Sequence, residues 1–186
     1  MVGVYGPRQS HRSAGYSDRG ALDCDVKFAN FATRRRTEAG QSAEEREASA
    51  SLARALTGAV RLEAYPKASI DVGVTVLESG GDDLALAVAA ASLALVDAGV
   101  EVLDTVAACS VCRVGPALLL NPSADEERLA EGTVTVALLP TLGKVSMLDC
   151  AGKWSQSAFD QAVDTAVAGC RTLDGAMRAA LGPAGQ

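Results

Sequence analysis

The stretch VLESGGDDLALAVAAASLALVDAGV, residues 76–100, decides the fold. It reads as the end of a strand, a glycine turn at Gly80-Gly81, an aspartate N-cap and a helix stopped by Gly99. Between Leu84 and Ala98 only Ser92 and Asp97 are polar, so this helix is apolar nearly all round and is expected to lie buried between layers. Asp82 or Asp83 is placed to cap the first-turn amides, and an acid suits the positive end of the helix dipole. A glycine turn opening onto a helix N-terminus is also a shape that holds phosphate. Two carboxylates in that mouth oppose such a use, so the turn carries the functional question.

Working upstream, residues 69–77 set Ile70, Val72, Val74 and Val76 against Asp71, Gly73 and Thr75, a strand with one face in a core. Residues 22–28 alternate in the same way, and 1–5 read as a strand tail closed by Gly6-Pro7. Residues 8–20 are rich in Ser, Gly and Arg and are expected to form a mobile loop. A second surface loop carries Arg34, Arg35 and Arg36. Ser42 and Glu45 make a capping box for a helix whose Leu52, Leu56 and Val60 share one stripe and which ends before Pro66.

Downstream, 101–114 is a β-branched and small-residue run, and Leu118-Leu119-Leu120 is a short strand after the Gly115-Pro116 turn. Residues 123–131 suggest one or two acidic helical turns. Two strands flanking Pro140-Thr141-Leu142-Gly143 read as a hairpin. A last helix reaches Leu181 with Phe159, Val163, Val167, Cys170, Leu173 and Met177 as its apolar stripe, and 182–186 is expected to be a frayed tail. This order describes an α/β or α+β layered architecture, with 1–186 as one domain.

The 186 residues are 48% hydrophobic but only 4% aromatic, which predicts a tightly packed core of Ala, Val and Leu. No uninterrupted apolar run suits a membrane span. Five cysteines, an odd number, and no export signal predict reduced thiols in the cytosol or nucleus. Cys109 and Cys112 have a redox-like spacing but fall inside a strand, where residues three apart face opposite ways. The one histidine, His11, lies in the first loop, so the core lacks the commonest general base. The net charge of -6 is uneven: residues 1–61 hold ten basic against seven acidic side chains, and the remainder seven against sixteen. Any basic strip for nucleic acid therefore belongs to the N-terminal third.

Several stretches together carry a family resemblance: Val4-Tyr5-Gly6-Pro7-Arg8, Phe28-Ala29-Asn30-Phe31-Ala32-Thr33-Arg34-Arg35-Arg36, Tyr65-Pro66-Lys67-Ala68-Ser69-Ile70-Asp71-Val72, and the glycine turn with Leu93-Ala94-Leu95-Val96-Asp97-Ala98-Gly99-Val100. Leu120-Asn121-Pro122, Asp125-Glu126-Glu127 and Thr135-Val136-Ala137-Leu138-Leu139-Pro140 continue it in order over almost the whole chain. The chain resembles the RNase PH fold, of the ribosomal protein S5 domain 2-like class, and within it the ring subunits of the RNA exosome. The Gly-Pro-Arg-Gln opening and the Phe-Ala-Thr-Arg-Arg-Arg loop look most like the catalytically silent mRNA-transport-type subunit. Family domains begin with further strands before the Gly-Pro-Arg turn, so the resemblance implies an N-terminally shortened domain.

Active members of the family are phosphorolytic and need an arginine at the glycine turn and two acids beyond the Gly-Pro turn. By resemblance, Asp83 stands at the arginine position, Leu119 at the first acid and Asp125 at the second. A charge-assisted arginine contact to phosphate contributes about 1.5–3 kcal/mol. A carboxylate at a similar distance instead repels by roughly 4 kcal/mol at an effective dielectric of 20. Asn121 is neutral, and Asp125 alone is a poor holder of Mg²⁺.

The resemblance thus implies a non-catalytic structural subunit of the exosome ring. It would support 3′-to-5′ degradation and processing of ribosomal, messenger and non-coding RNA without a cofactor or metal of its own. Its implied partners are other RNase PH-like ring subunits, an RNA-binding cap subunit and RNA in the ring channel. Its implied locations are the nucleus, nucleolus and cytoplasm. Arg34, Arg35, Arg36 and Lys67 are candidates for RNA contact, with a solvated loop and a surface lysine as the plain alternatives. A competing reading is an active phosphorolytic 3′-to-5′ exoribonuclease using Arg113 or Arg128 with Asp125. A third is a free-standing RNA-binding module.

Overall fold

The computed structural model describes residues 1–9, 18–32 and 43–182. Strands β1 (Val2–Gln9), β2 (Ala21–Phe28) and β3 (Ala68–Val76) form one sheet in the order β1-β3-β2, with β1 antiparallel and β2 parallel to β3. Strands β4 (Ala107–Val114), β5 (Ala117–Leu120), β6 (Gly132–Leu139) and β7 (Lys144–Gly152) form a second, antiparallel sheet in the order β5-β4-β6-β7. Helices α1 (Ala43–Thr57) and α2 (Asp83–Asp97) lie between the sheets, and α4 (Gln156–Leu181) covers the other face of the second. The short α3 (Ala124–Leu129) follows β5.

Side-chain alternation explains these layers. In β3, Ile70, Val72 and Val74 are buried against Leu52, Leu56, Val88 and Leu95 of the middle helices. β4 is covered on both faces: Ala108 joins that same core, whereas Cys109 and Val111 pack with α4. A strand covered on both faces needs no polar alternation, which is why 107–112 is buried throughout. The small residues of α2 let two sheets approach one helix.

The structure corrects several expectations. β1 does not close at Gly6-Pro7 but continues to Gln9 through an irregular register between Tyr5 and Arg8. α1 ends at Thr57, and Val60 is buried in an isolated bridge to Val102 rather than in the helix. β4 starts at Ala107, not at 101, because Asp104 and Thr105 turn their side chains to tertiary hydrogen bonds with Thr141, Leu142 and Asp174. α2 is not covered all round: Leu86 is 59% exposed and, with Ala90, lines an open apolar groove beside Met1, Val2 and Leu77. The deepest line of α4 is Ala162, Ala166, Cys170, Asp174 and Met177, while Phe159, Val163, Val167 and Leu173 flank it half-buried. Small residues sit where helix and sheet come closest, and bulky ones fill the sides. Ser42, His11 and most of the two N-terminal loops fall outside the described residues. No helix among those described is long and apolar enough to cross a membrane.

The C-terminal end of α4 is tied down by polar groups that hydrophobic patterning does not reveal. Arg178 donates to Asp174 at 2.7 Å, to Asp104 at 3.0 Å and to the Thr141 hydroxyl at 2.8 Å. Asp104 also accepts from the backbone N–H groups of Thr105, Thr141 and Leu142. Thr105 donates to Asp174 at 2.6 Å. Three segments distant in sequence, the crossover before β4, the β6–β7 turn and α4, thus converge on two buried carboxylates and one guanidinium. Burial pushes the Asp104 carboxyl up, but the hydrogen bonds from Leu142, Thr141 and Thr105 outweigh it and hold the group below its ordinary value.

Candidate functional site

The glycine turn lies where β3 hands over to α2, and the fold brings α3 against it. Gly80 accepts a backbone hydrogen bond from Ala124 at 2.8 Å. Gly81 has φ +100, and a Cβ there would stand 2.5 Å from the Pro122 oxygen and 2.6 Å from the Ala124 nitrogen. Only glycine allows both the backbone angle and the close approach. An open cleft of about 710 Å³ results, lined by Glu44, Ser79, Gly80, Asp125, Glu127 and Arg128 among others.

Expected caps become tertiary ties here. Asp82 precedes α2 in the left-handed region, at φ 55, and its carboxylate makes no capping hydrogen bond. That carboxylate instead accepts from the hydroxyl of Ser110, a buried residue of β4. The backbone N–H of Asp82 donates to the Glu127 carboxylate at 2.9 Å. Ser79 donates its hydroxyl to Asp83 at 2.6 Å. The amide of Asp82 at the turn is thus already matched to a carboxylate from the same chain.

Burial pushes the Asp82 carboxyl up to about 6; the Ser110 hydrogen bonds oppose the rise, and the charges of Glu127 and Asp83 add to it. Arg128, the cation on the cleft wall, is held by Asp125 at 3.1 Å. α3 closes its own N-terminus with a capping box, in which Glu126 accepts from both the backbone and the hydroxyl of Ser123 at 2.8 Å.

The residues singled out by the sequence divide into two groups. Asp83 opens α2 and bonds Ser79 of the cleft wall, Asp125 lines the cleft, and Leu119 pairs with Cys112 of β4. Opposed residues share a face of the sheet, so Leu119 is on the same face as Cys112 and, two residues earlier, Ser110. Leu119 offers no oxygen, so of the two acid positions only Asp125 carries a carboxylate, and it lies 3.1 Å from Arg128. Lys67 stands apart, exposed at φ 61 before β3, whose nine residues at roughly 3.3 Å each separate it from the glycine turn by about 30 Å. Arg34, Arg35 and Arg36 lie outside the described residues.

Two residues that the sequence did not single out complete the corner. Ser110 lies inside a buried run and Glu127 inside an acidic triplet. Alternation along β4 assigns Ser110 to a face, but only the return of α3 to the turn identifies Glu127 as the partner of Asp82.

A fold of two sheets around a helical layer, with a glycine turn and an acid-bearing segment meeting at one corner, is the frame of a 3′-end-directed RNA-degrading family. The 3′ exoribonuclease family models match here, domain 1 over residues 1–101 and domain 2 over 104–169. The chain belongs to this family, which is the RNase PH-like group expected from the sequence.

Its relatives are exosome components. It is 35% identical over 181 residues to the exosome complex component RRP41-like of Arabidopsis thaliana, covering 97% of this chain and 70% of the relative. It is 41% identical over 172 residues to the exosome complex component MTR3 of Homo sapiens, covering 90% of this chain and 63% of the relative. The chain therefore spans about two thirds of the length of these relatives. The structure of rice (Oryza sativa) Rrp46 superposes with a TM-score of 0.82 over 97% of this chain and 82% of that one, at 20% identity. The expected fold and the expected kinship with exosome subunits of the MTR3 type both hold.

Proposed function

We propose that this chain is a non-catalytic structural subunit of an RNA exosome ring. It serves 3′-to-5′ processing and degradation of ribosomal, messenger and non-coding RNA through assembly and RNA guidance. The observation that carries this reading is the Asp82–Glu127 pairing at the glycine turn. An attacking phosphate needs free amides and a cation at such a turn; here one amide is taken by a carboxylate and Asp83 stands beside it. Leu119 removes an acid from the same face.

The displaced-arginine alternative is poorly served. Arg113 is ion-paired with Glu131 at 2.7 Å and lies over the Trp154 ring at 5.6 Å, and Arg128 is paired with Asp125. The proposed partners are other RNase PH-like subunits, an RNA-binding cap subunit and RNA. Arg34, Arg35, Arg36 and Lys67 are the proposed RNA contacts, and the nucleus, nucleolus and cytoplasm the proposed locations.

Two experiments test this reading. Incubated with short RNA, Mg²⁺ and inorganic phosphate, the purified chain should release no nucleoside diphosphate; phosphate-dependent release would overturn the assignment. Affinity purification of the tagged chain from its own cells should recover other ring subunits and a cap subunit at comparable stoichiometry. Recovery of none would favour a free-standing RNA-binding module.

A further inference from the structure

Cys109 and Cys170 are both free thiols, 1% and 0% exposed, and share one hydrophobic cluster. They come from different elements, β4 and α4, separated by most of the second sheet in sequence. In the β4–β6 ladder, Cys109 is directly opposite Val136. The Cys170 sulfur rests 3.5 Å from the carbonyl oxygen of that same Val136. α4 can lie this close because Gly169 faces the strand: a Cβ there would stand 3.2 Å from the Cys109 sulfur and 3.0 Å from the Leu120 side chain. Cys112, three residues along β4, faces the opposite side of the sheet and cannot compete for Cys109.

We infer that Cys109 and Cys170 form a reversible disulfide that staples α4 to the second sheet when the protein meets a hydroperoxide. A groove of about 500 Å³ beside α4 is lined by Cys109, Leu120, Asn121, Gly169 and Thr172 among others, giving a small oxidant a route to the Cys109 side. Cys109 is the attacking sulfur because it, and not Cys170, borders that groove, and the thiol of Cys170 beside it favours its thiolate.

The Cys109 thiolate attacks the terminal peroxide oxygen, the O–O bond breaks, and the departing oxygen leaves as water after protonation. The Cys170 sulfur, giving up its proton, then attacks the sulfenic sulfur. The S–O bond breaks and a second water departs. The two thiols lose two electrons and two protons in total, and one hydrogen peroxide becomes two waters.

The test treats the full reduced chain with hydrogen peroxide, alkylates the remaining thiols and digests with trypsin. Cys170 then lies in its own peptide, 154–171, and fragment-ion sequencing separates Cys109 from Cys112 in peptide 68–113. The expected product is a Cys109–Cys170 linked pair lighter than the two thiols by two hydrogens and released by dithiothreitol. Both thiols still alkylatable after the exposed Cys150 is fully oxidised would overturn the inference. Linkage of Cys109 to Cys112, or only between chains, would overturn it equally. As a second readout, oxidation should raise Tm in the wild type and in Cys150→Ser but leave Cys170→Ala unmoved. An equal Tm change in all three would sink the staple.

Discussion

Asp82 shows how one side chain can look like a helix cap and act as something else. It is faced by Ser110 from β4, Glu127 from α3 and Asp83 from its own helix, and its charge also reaches the Cys109 and Cys170 thiols. Its carboxyl is raised to about 6, so the folded state binds that proton more tightly than the unfolded chain does. The charged form burdens the fold above pH 6, and the burden lifts as pH falls towards the ordinary carboxyl range. Asp82→Asn keeps an oxygen for Ser110 and removes the charge. It should raise stability at pH 7.5 by about 2 kcal/mol and make no difference near pH 4, measured by urea unfolding across that range. Parallel pH profiles for the two proteins would refute this account. Gly81→Ala at the same turn meets a positive φ and two backbone atoms at once. A loss of about 3 kcal/mol or more is expected by the same measurement, against about 1 kcal/mol for Gly99→Ala, which shares the positive φ but has open space around its Cβ.

The Arg178 cluster joins α4, the β6–β7 turn and the approach to β4. Asp104 is the centre, because three backbone N–H groups and one guanidinium depend on it. Asp104→Ala leaves those donors without their acceptor and should cost about 3 kcal/mol in chemical unfolding. Arg178→Lys should recover little of what Arg178→Ala loses. A single ammonium cannot reach the acceptors that the planar guanidinium spans, namely Asp174, Asp104 and Thr141. Full rescue by lysine would show that charge alone matters. The Asp104 carboxyl is held low, so its contribution is present near neutrality and is lost as pH falls below the ordinary carboxyl range, the reverse of Asp82.

These two clusters also mark the boundary of what the sequence conveys. β3, α2, the hairpin and α4 were legible because burial imposes a period of two on strands and of about four on helices. Asp104, Thr105, Asp174 and Arg178 have no period. They lie on three elements, and their partnership exists only once α4 is docked. At the candidate site, the glycine turn is read from local sequence, whereas the parts given to Asp83, Leu119 and Asp125 come from the family resemblance. The pairing of Asp82 with Ser110 and Glu127 follows from tertiary approach alone. The exposed stripe at Leu86 and Ala90 escaped for a related reason. An apolar sequence records what a residue prefers, not whether a neighbour covers it.

For the whole molecule, charge distribution governs how the proposed RNA contact would behave. Residues 62–186 carry nine more acids than bases, whereas residues 1–61 carry three more bases than acids. The acidic cleft at the glycine turn belongs largely to the first group, so a polyanion is repelled from that corner. Affinity for RNA must then come from the basic N-terminal third. Each lysine or arginine that neutralises a phosphate steepens the dependence of log K on log salt by about 0.9 for a duplex and about 0.7 for a single strand. Replacing Arg34, Arg35 and Arg36 together with alanine should therefore flatten the salt slope for single-stranded RNA by roughly 2, read from fluorescence anisotropy between low and physiological salt. Glu127→Gln at the cleft should leave that slope unchanged, because it alters the turn and not the basic strip. A slope that survives the triple replacement, or that shifts with Glu127→Gln, would move the RNA path away from the N-terminal arginines and onto the face that carries the turn.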